Sequence, residues 1–299
     1  MKTFAWLLLR FFGAWPLPLL HGFAAVLGGL AWVIPNRRQR VALRNVERCF
    51  PEKSRAEVEA IARQAITEEF KLFLETPRLW LCSKATMRGY LQQETNIHLL
   101  DEAFAKGKGV ILLTLHQGQF EQPAMCMSER YRFTGLYKPQ GSKGAARALD
   151  EASLQGRMRF GGKMLATQAG VTRDILPLLA ANEGVYFVAD QDPPEGRGVF
   201  APFFGHAAHT PTLVHRLAQL TEAEILVFYG ERLPWARGYK SHYFRAPAAI
   251  RDPDPVVSAT ALNAIFEDCV RRLPQQYWWS YQRFRRQPQG APDFYAGTR

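Results

Sequence analysis

Apolar and polar positions along this chain fall into short blocks that predict strands and helices in succession. Residues 110–115 form an apolar run with β-branched members, bounded upstream by Lys106-Gly107-Lys108-Gly109. A run of this kind is typical of a strand buried on both faces, as in a parallel sheet. Gln117-Gly118-Gln119 follows and predicts a flexible turn.

Further strands and helices follow from the same patterns. We predict strands over 133–137, 185–189, 224–229 and 241–245, and helices over 99–105, 173–179, 212–220 and 255–273. Strands that alternate with helices indicate an α/β fold with a largely parallel central sheet flanked by helices.

Capping and breaking residues set several of the expected boundaries. Ser54 with Glu57 forms a capping box for a helix that should run to about Thr76, where Pro77 stops it. Gly184 is expected to end the helix over 173–179 in the left-handed conformation. The stretch 142–163 is basic and polar, and 200–205 is an apolar loop that we expect to pack in the core rather than line an acyl pocket.

The N-terminal segment has the length and composition of a membrane anchor. Phe11–Ile34 carries no formal charge, and as a helix its 24 residues would reach about 36 Å, against a hydrocarbon core of about 30 Å. Alternatively, Pro16 and Pro18 break the helix and leave Leu19–Ile34 lying in the membrane interface. A cleaved signal lacks support, because no small-x-small site ends a short apolar region. We therefore predict an N-terminal membrane-anchoring helix within residues 1–35 and a single α/β domain over 36–299.

Charge and cysteine content narrow the partners and the compartment. Five arginines between positions 37 and 48 follow the apolar segment, whereas only Lys2 and Arg10 precede it, so the bulk of the protein should face the cytoplasm. The net charge of +11 indicates anionic partners: nucleic acid, anionic lipid or a phosphorylated substrate. No nucleic-acid recognition motif is visible. The four cysteines lie far apart, which excludes zinc-ribbon and redox motifs and favours reduced thiols.

Candidate chemistry lies where the strand over 110–115 ends. His116 follows it directly and Glu121 comes five residues later, an arrangement that can hold a histidine as a general base. The alternative is a strand-end histidine with a helix-capping neighbour. Asp190-Gln191-Asp192 follows the strand over 185–189. Because ligands bind at the carboxyl ends of parallel strands, these polar residues should lie beside His116 if the two strands are neighbours.

Several mechanisms are excluded by missing motifs. The chain has no GxSxG elbow, no Walker A sequence and no dinucleotide fingerprint. His206, His209 and His215 match no zinc signature, so we expect no metal. A histidine base without a nearby side-chain nucleophile suits direct transfer, in which a substrate hydroxyl loses its proton and attacks an activated acyl carbon.

Read together, the motifs resemble a known family. After H-x4-E come Gly-Arg-Met-Arg at 156–159, Val-Ala-Asp-Gln-Asp at 188–192 and Val-Phe-Ala-Pro-Phe-Phe-Gly at 199–205. Pro-Gln-Gln-Tyr-Trp-Trp at 274–279 and Arg-Phe-Arg-Arg-Gln-Pro at 283–288 close the series, and Arg-Asn-Val-Glu-Arg-Cys-Phe-Pro at 44–51 precedes it. In this order, and behind an apolar N-terminus, they are similar to the late acyltransferases of lipid A biosynthesis.

The resemblance implies an enzyme that moves a fatty acyl chain from acyl carrier protein to a hydroxyl of a lipid A precursor. It would act at the cytoplasmic face of the bacterial inner membrane and need no cofactor beyond the thioester donor. His116 would be the general base and Glu121 its orienting carboxylate. Arg157 or Arg159 would bind substrate phosphate or stabilise developing charge.

Other interpretations stay open from the sequence. Asp190 and Gln191 either contact substrate or form a structural polar pair. Arg283, Arg285 and Arg286 beside two tryptophans form either a patch at lipid-headgroup level or a plain basic tail. The acceptor could instead be a lysophospholipid or another membrane lipid. Two other hypotheses are a membrane-anchored binding protein without catalytic activity and a nucleic-acid-binding protein, the second of which is motivated only by the net charge.

Overall fold

A computed structural model describes residues 2–139, 141, 143–168 and 170–298, with side chains from residue 6 onward. Met1, Ser142 and Arg299, which belong to the predicted anchor, basic segment and domain, lie outside the described residues. The α-helices are α1 (Lys2–Ala14), α2 (Leu17–Val33), α3 (Arg37–Cys49), α4 (Arg55–Leu81), α5 (Lys84–Tyr90), α6 (His98–Ala105), α7 (Glu121–Met127), α8 (Gly144–Met158), α9 (Val171–Ala180), α10 (Leu213–Leu220) and α11 (Pro255–Arg272).

The strands form one large sheet and a separate hairpin. They are β1 (Leu91–Thr95), β2 (Val110–Gly118), β3 (Phe133–Tyr137), β4 (Lys163–Ala166), β5 (Gly184–Val188), β6 (Gly198–Phe203), β7 (His206–Pro211), β8 (Glu224–Arg232) and β9 (Tyr239–Arg245). The sheet has the order β1-β9-β8-β2-β5-β3-β4, and β6 pairs with β7 outside it. Every neighbouring pair in the large sheet is parallel except β8 with β9. The predicted α/β fold with a largely parallel, helix-flanked sheet is confirmed.

Strand β2 is central because both of its faces are covered. Ile111, Leu113 and Leu115 belong to one apolar cluster, while Val110 and Leu112 belong to another on the opposite face. All five side chains are fully buried, as expected where helices cover both sides of a parallel sheet. The carboxyl end of β2 is therefore held rigidly in the middle of the molecule.

The N-terminal segment forms two helices rather than one. Helices α1 and α2 meet at a bend of 114° beside Pro16. Proline has no backbone N–H, so it cannot donate the hydrogen bond that would continue α1. Among the described residues, no single helix has the length and apolar character to cross a membrane. The bent pair α1 and α2 together has a sufficient length and composition, which is the whole of the support for a span. The anchor predicted for residues 1–35 stays a prediction. Leu17 and Leu20 of α2 pack in one cluster with Leu79 and Trp80 of α4.

Several predicted boundaries are wrong. Helix α4 continues through Pro77 to Leu81, since its packing against neighbouring helices outweighs the single lost hydrogen bond. The predicted capping box of Ser54 and Glu57 is present. After α9 the left-handed residue is Asn182, with φ of 56°, whereas Gly184 already belongs to β5.

One segment predicted as a loop is largely a strand, and one segment for which no element was predicted contains a helix. The basic stretch over 142–163 contains helix α8, and most of the apolar loop over 200–205 is strand β6. Hairpin pairing with β7 supplies the hydrogen bonds that make β6 a strand. Phe203 and Phe204 are buried in the main core, as predicted for this stretch.

Candidate active site

His116 lies near the end of β2 and faces a carboxylate from the neighbouring strand. Its Nδ1 is 2.7 Å from Asp190 Oδ1, and its backbone N–H donates to Asp190 Oδ2 at 3.1 Å. The parallel register places Thr114 opposite Val188, so the residues two positions beyond each come together. The expectation that Asp190 lies beside His116 is confirmed. The predicted turn at 117–119 is wrong in part, because β2 extends to Gly118.

Asp190 is held as an ionised partner of the histidine. Burial by itself raises the pKa of this carboxyl, but the charge of His116 and the hydrogen bonds from its ring and backbone bring the pKa below its usual value. A carboxylate here accepts the Nδ1 proton and leaves Nε2 with a free lone pair.

Three side chains surround the imidazole. The Trp278 and Phe120 ring centroids lie 5.0 and 5.3 Å from the His116 ring centroid, both edge-on. The Trp278 backbone N–H donates to the His116 carbonyl at 3.1 Å. The Gln191 amide nitrogen lies 3.3 Å from Nε2. The apolar rings fix the ring plane, and Gln191 marks the side from which a substrate atom would approach.

In the described structure Glu121 is hydrogen-bonded to Arg157 and Trp80 rather than to the His116 ring, and its role as the orienting carboxylate stays a prediction. Glu121 opens helix α7, and Arg157 of α8 binds it through two nitrogens, with Nε 2.9 Å from Oε2. Trp80 Nε1 donates to the same oxygen at 3.1 Å. Burial raises the pKa of Glu121, but the Arg157 charge and these hydrogen bonds outweigh it and lower the pKa. Glu121 and Arg157 thus form a second, separate charged pair near the histidine.

The two predicted arginines differ in position. Arg157 lines the cavity described below, and its guanidinium also lies over the Trp80 ring, 5.8 Å from the centroid. Arg159 instead donates to the Trp80 carbonyl at 2.7 Å and lies over the Phe160 ring. The Arg159 side chain therefore connects the end of α4 to the end of α8 and does not line the cavity.

A cavity of about 660 Å³ opens beside His116. Its apolar lining comes from the β2, β3, β4 and β5 region and from α7: Phe120, Ala124, Leu136, Met164, Phe187 and Val188. Its lining also includes Arg197 and Arg216, neither of which forms an ion pair with a carboxylate in the described part of the chain. A cavity with an apolar wall and unneutralised guanidinium groups can hold a long alkyl chain together with an anionic group.

Tyr186 also lines the cavity and stays protonated. Burial is the main cause that raises its pKa, to about 12, with a contribution from Glu121 against the lowering effect of Arg157. The sequence does not distinguish this tyrosine as a site residue, because a tyrosine within an apolar strand is usually part of the core.

Asp192 joins the loop after β5 to two other parts of the chain. His209 Nδ1 of β7 lies 2.8 Å from Asp192 Oδ1, and Arg285 and Arg286 approach Oδ2 at 3.0 and 3.4 Å. The Asp192 backbone N–H donates to the Tyr281 hydroxyl at 3.0 Å. These bonds hold the Asp190-Gln191 segment over His116. The arginines predicted for headgroups or a basic tail therefore include two that bind this carboxylate.

A buried ion cluster supports the same edge of the sheet. Arg232 is bound to Glu75, whose other contacts include His21 Nε2 at 2.7 Å and Gln119 Nε2 at 2.9 Å. The Gln119 Oε1 accepts the Glu121 backbone N–H at 3.1 Å. Burial raises the pKa of Glu75, but Arg232 and His21 bring it down to about 2. Helix α2 is thereby connected through three hydrogen bonds to the start of α7.

Fold and site together define an α/β enzyme with a histidine–carboxylate pair at the carboxyl edge of a parallel sheet, open to a large cavity. The family model described as "Bacterial lipid A biosynthesis acyltransferase" matches residues 2–286. The chain belongs to this family and is an acyltransferase of lipid A biosynthesis.

Three relatives illustrate the likeness, all from Escherichia coli (strain K12). The lipid A biosynthesis lauroyltransferase is 26% identical over 285 residues, covering 94% of this chain and 90% of the relative. The palmitoleoyltransferase is 27% identical over 282 residues, with 94% and 89% covered. The myristoyltransferase is 26% identical over 296 residues, with 90% and 86% covered. Their names differ in the acyl chain transferred, so the family assignment leaves the chain length of this enzyme open.

Proposed function

We propose that this enzyme transfers a fatty acyl chain from acyl carrier protein to a hydroxyl of a lipid A precursor, with His116 as general base. The observation that carries the proposal is the His116–Asp190 pair, 2.7 Å apart, at the wall of the 660 Å³ cavity. A histidine whose Nδ1 is bound to a buried carboxylate presents Nε2 as the basic atom.

The chemistry needs one proton carrier and no covalent enzyme intermediate. The acceptor hydroxyl takes the place of the Gln191 amide beside Nε2 and gives its proton to His116 as its oxygen attacks the thioester carbonyl. The tetrahedral intermediate then collapses, the C–S bond breaks, and the thiolate takes the proton from His116. The products are the new ester and free acyl carrier protein.

Arg157 would support this reaction by stabilising charge. Glu121 occupies its Nε and one terminal nitrogen, which leaves further N–H groups on the guanidinium for the developing oxyanion. The ion pair keeps the guanidinium from turning away. In this role Glu121 is a positioning residue that acts on Arg157 rather than on His116.

The charges and surface suit the proposed partners. Arg197 and Arg216 fit the phosphate of an anionic glycolipid acceptor, and the apolar wall fits an acyl chain. The net charge of +11 favours an acidic carrier protein and an anionic membrane. The arginines of α3 beside the apolar N-terminal helices favour a location on the cytoplasmic face of the inner membrane.

The test is lipid A itself. We would delete the gene in its host, restore it as wild type, His116→Ala or His98→Ala, and compare the lipid A mass spectra. His98 is an exposed histidine on α6 and provides the matched control. We expect lipid A of the deletion strain to lack one acyl group. Wild type and His98→Ala should restore this group, whereas His116→Ala should not. Unchanged lipid A in a host that expresses the gene would refute the acceptor, and the phospholipids would then be compared.

A further inference from the structure

Trp235 is the most exposed large apolar side chain in the described part of the molecule. It lies in the turn between β8 and β9, in the segment Pro234–Ala236, and 91% of its surface is accessible. Tryptophan is usually well buried, since its indole removes a large apolar area from water. An indole left almost wholly in solvent therefore indicates a surface that another phase or molecule covers.

The turn holds this side chain outward in an unusual backbone conformation. Trp235 and Ala236 have φ angles of 59° and 54°, in the left-handed region that bulky residues seldom adopt. The turn is closed by the Leu233 N–H, which donates to the Gly238 carbonyl at 2.9 Å. Arg237 Nε also donates to the Pro234 carbonyl at 3.2 Å. The exposure of Trp235 is thus built into a closed turn, and unfavourable φ angles of this kind often occur at functional positions.

The turn is seated on the N-terminal helices. Ala236 packs in one apolar cluster with Leu17 and Leu20 of α2 and with Phe12 of α1. On the outer surface of these helices, six apolar side chains are each more than half exposed: Leu7, Phe11, Leu19, Val26, Leu30 and Val33. Exposed apolar surface of this extent marks a contact with a membrane or another protein.

Charge decides between these two occupants. Arg10 on α1 and Arg237 beside Trp235 are exposed, so cations border the apolar surface. Two copies of the chain that met through this surface would bring these cations together, whereas an anionic phospholipid surface would neutralise them. Indole rings concentrate at the headgroup level of bilayers, where one edge is wet and the ring is apolar.

We propose that the Trp235 turn inserts into the headgroup region of an anionic phospholipid bilayer, as a second membrane contact beside α1 and α2. Two separate contacts fix how the protein is rotated on the surface, which one apolar segment alone does not. The inference adds to the proposed function and rests on it only for the acceptor being a bilayer lipid.

The test is flotation of the purified full-length protein with vesicles of phosphatidylethanolamine and phosphatidylglycerol. Trp235→Ser should weaken partitioning by roughly tenfold to a hundredfold, as expected for the transfer of part of an indole from water. Leu220→Ser is the matched control, because Leu220 is 56% exposed at the end of α10, away from α2, and should float as wild type. Trp235→Phe should lie between wild type and Trp235→Ser.

A site-specific probe covers the case in which Trp235→Ser folds poorly. In a Cys126→Ser background, a fluorophore on Trp235→Cys should shift to shorter wavelength on vesicle addition, and one on Leu220→Cys should not. The other cysteines are buried and protected from labelling. Flotation needs no turnover, so His116→Ala should bind vesicles normally even if the acceptor assignment fails.

Two results would overturn the inference. In the first, Trp235→Ser floats like wild type and the label at position 235 shows no spectral shift. In the second, sedimentation shows a dimer that Trp235→Ser dissociates, which would assign the surface to a second copy of the chain.

Discussion

Replacing Asp190 with asparagine should remove the basic nitrogen of His116 while leaving the shape of the site unchanged. The two carboxylate oxygens face two donors on His116, the ring Nδ1 and the backbone N–H. Asparagine has one acceptor oxygen and one NH₂ group. If the oxygen faces the backbone N–H, the NH₂ group faces Nδ1 and the proton of the neutral ring moves to Nε2. If the amide is reversed, its NH₂ group meets the backbone N–H without an acceptor.

The first orientation should dominate, because an unsatisfied buried donor costs about 1–3 kcal/mol. Nε2 then carries a hydrogen and cannot accept the hydroxyl proton. General base catalysis contributes roughly 10²–10⁴ in rate, so Asp190→Asn should lower kcat by this factor, or about 3–5 kcal/mol of activation free energy. KM for both substrates should change little, since no contact with substrate is removed.

The assay is acyl transfer from purified acyl carrier protein thioester to a lipid A precursor in detergent, with His116→Ala as the reference. Nitrogen NMR of the His116 ring reports the tautomer directly and independently of turnover. If His116→Ala is inactive but Asp190→Asn keeps a kcat within threefold of wild type, Asp190 does not orient the base. A shift of the ring proton to Nε2 without loss of kcat would contradict the proposed role of His116 itself.

Three further changes test other parts of the structure. Glu121→Gln leaves Arg157 without its carboxylate and should lower the free energy of unfolding by about 3 kcal/mol in denaturant titrations. Adding Arg157→Met to Glu121→Gln should recover part of this loss, because the unpaired buried cation is removed. A double variant that is no more stable than Glu121→Gln would argue against the pair. The pKa of Glu75, lowered to about 2, predicts a stability contribution of about 3 kcal/mol that is complete above pH 4.5 and lost as pH falls towards 2. Glu75→Gln should therefore unfold with less acid dependence over this range, and identical slopes for both proteins would refute the assignment. Gly118→Ala would place its Cβ against the Gly230 carbonyl at a φ of 58°, so we expect a marked fall in melting temperature, whereas Gly107→Ala, with nothing within 4 Å, should lose only the cost of its φ.

The local elements were predictable where a residue's neighbours in sequence decide its conformation. The apolar run over 110–115 and the capping box at Ser54 depend on a few adjacent residues, and both are present in the structure. The contact of His116 with Asp190 also followed, because parallel neighbouring strands bring their carboxyl ends together. Helix α8 was missed, since its packing surface includes Gly156, whose missing side chain makes room for the Trp80 ring. A glycine in a polar stretch gives no such signal in the sequence.

The charge partners in the site could not be predicted in the same way. The spacing of five residues suggested that Glu121 holds His116. In the structure Glu121 is the first residue of α7, and its carboxylate points towards Arg157 of α8. Arg157 lies 36 residues from Glu121, and Asp190 lies 74 residues from His116. The amino-acid sequence by itself determined the strand that carries the histidine, the types of residue available for catalysis and the family. Tertiary structure alone decided which carboxylate meets which cation, because buried charges are paired by the packing of distant elements and not by their separation along the chain.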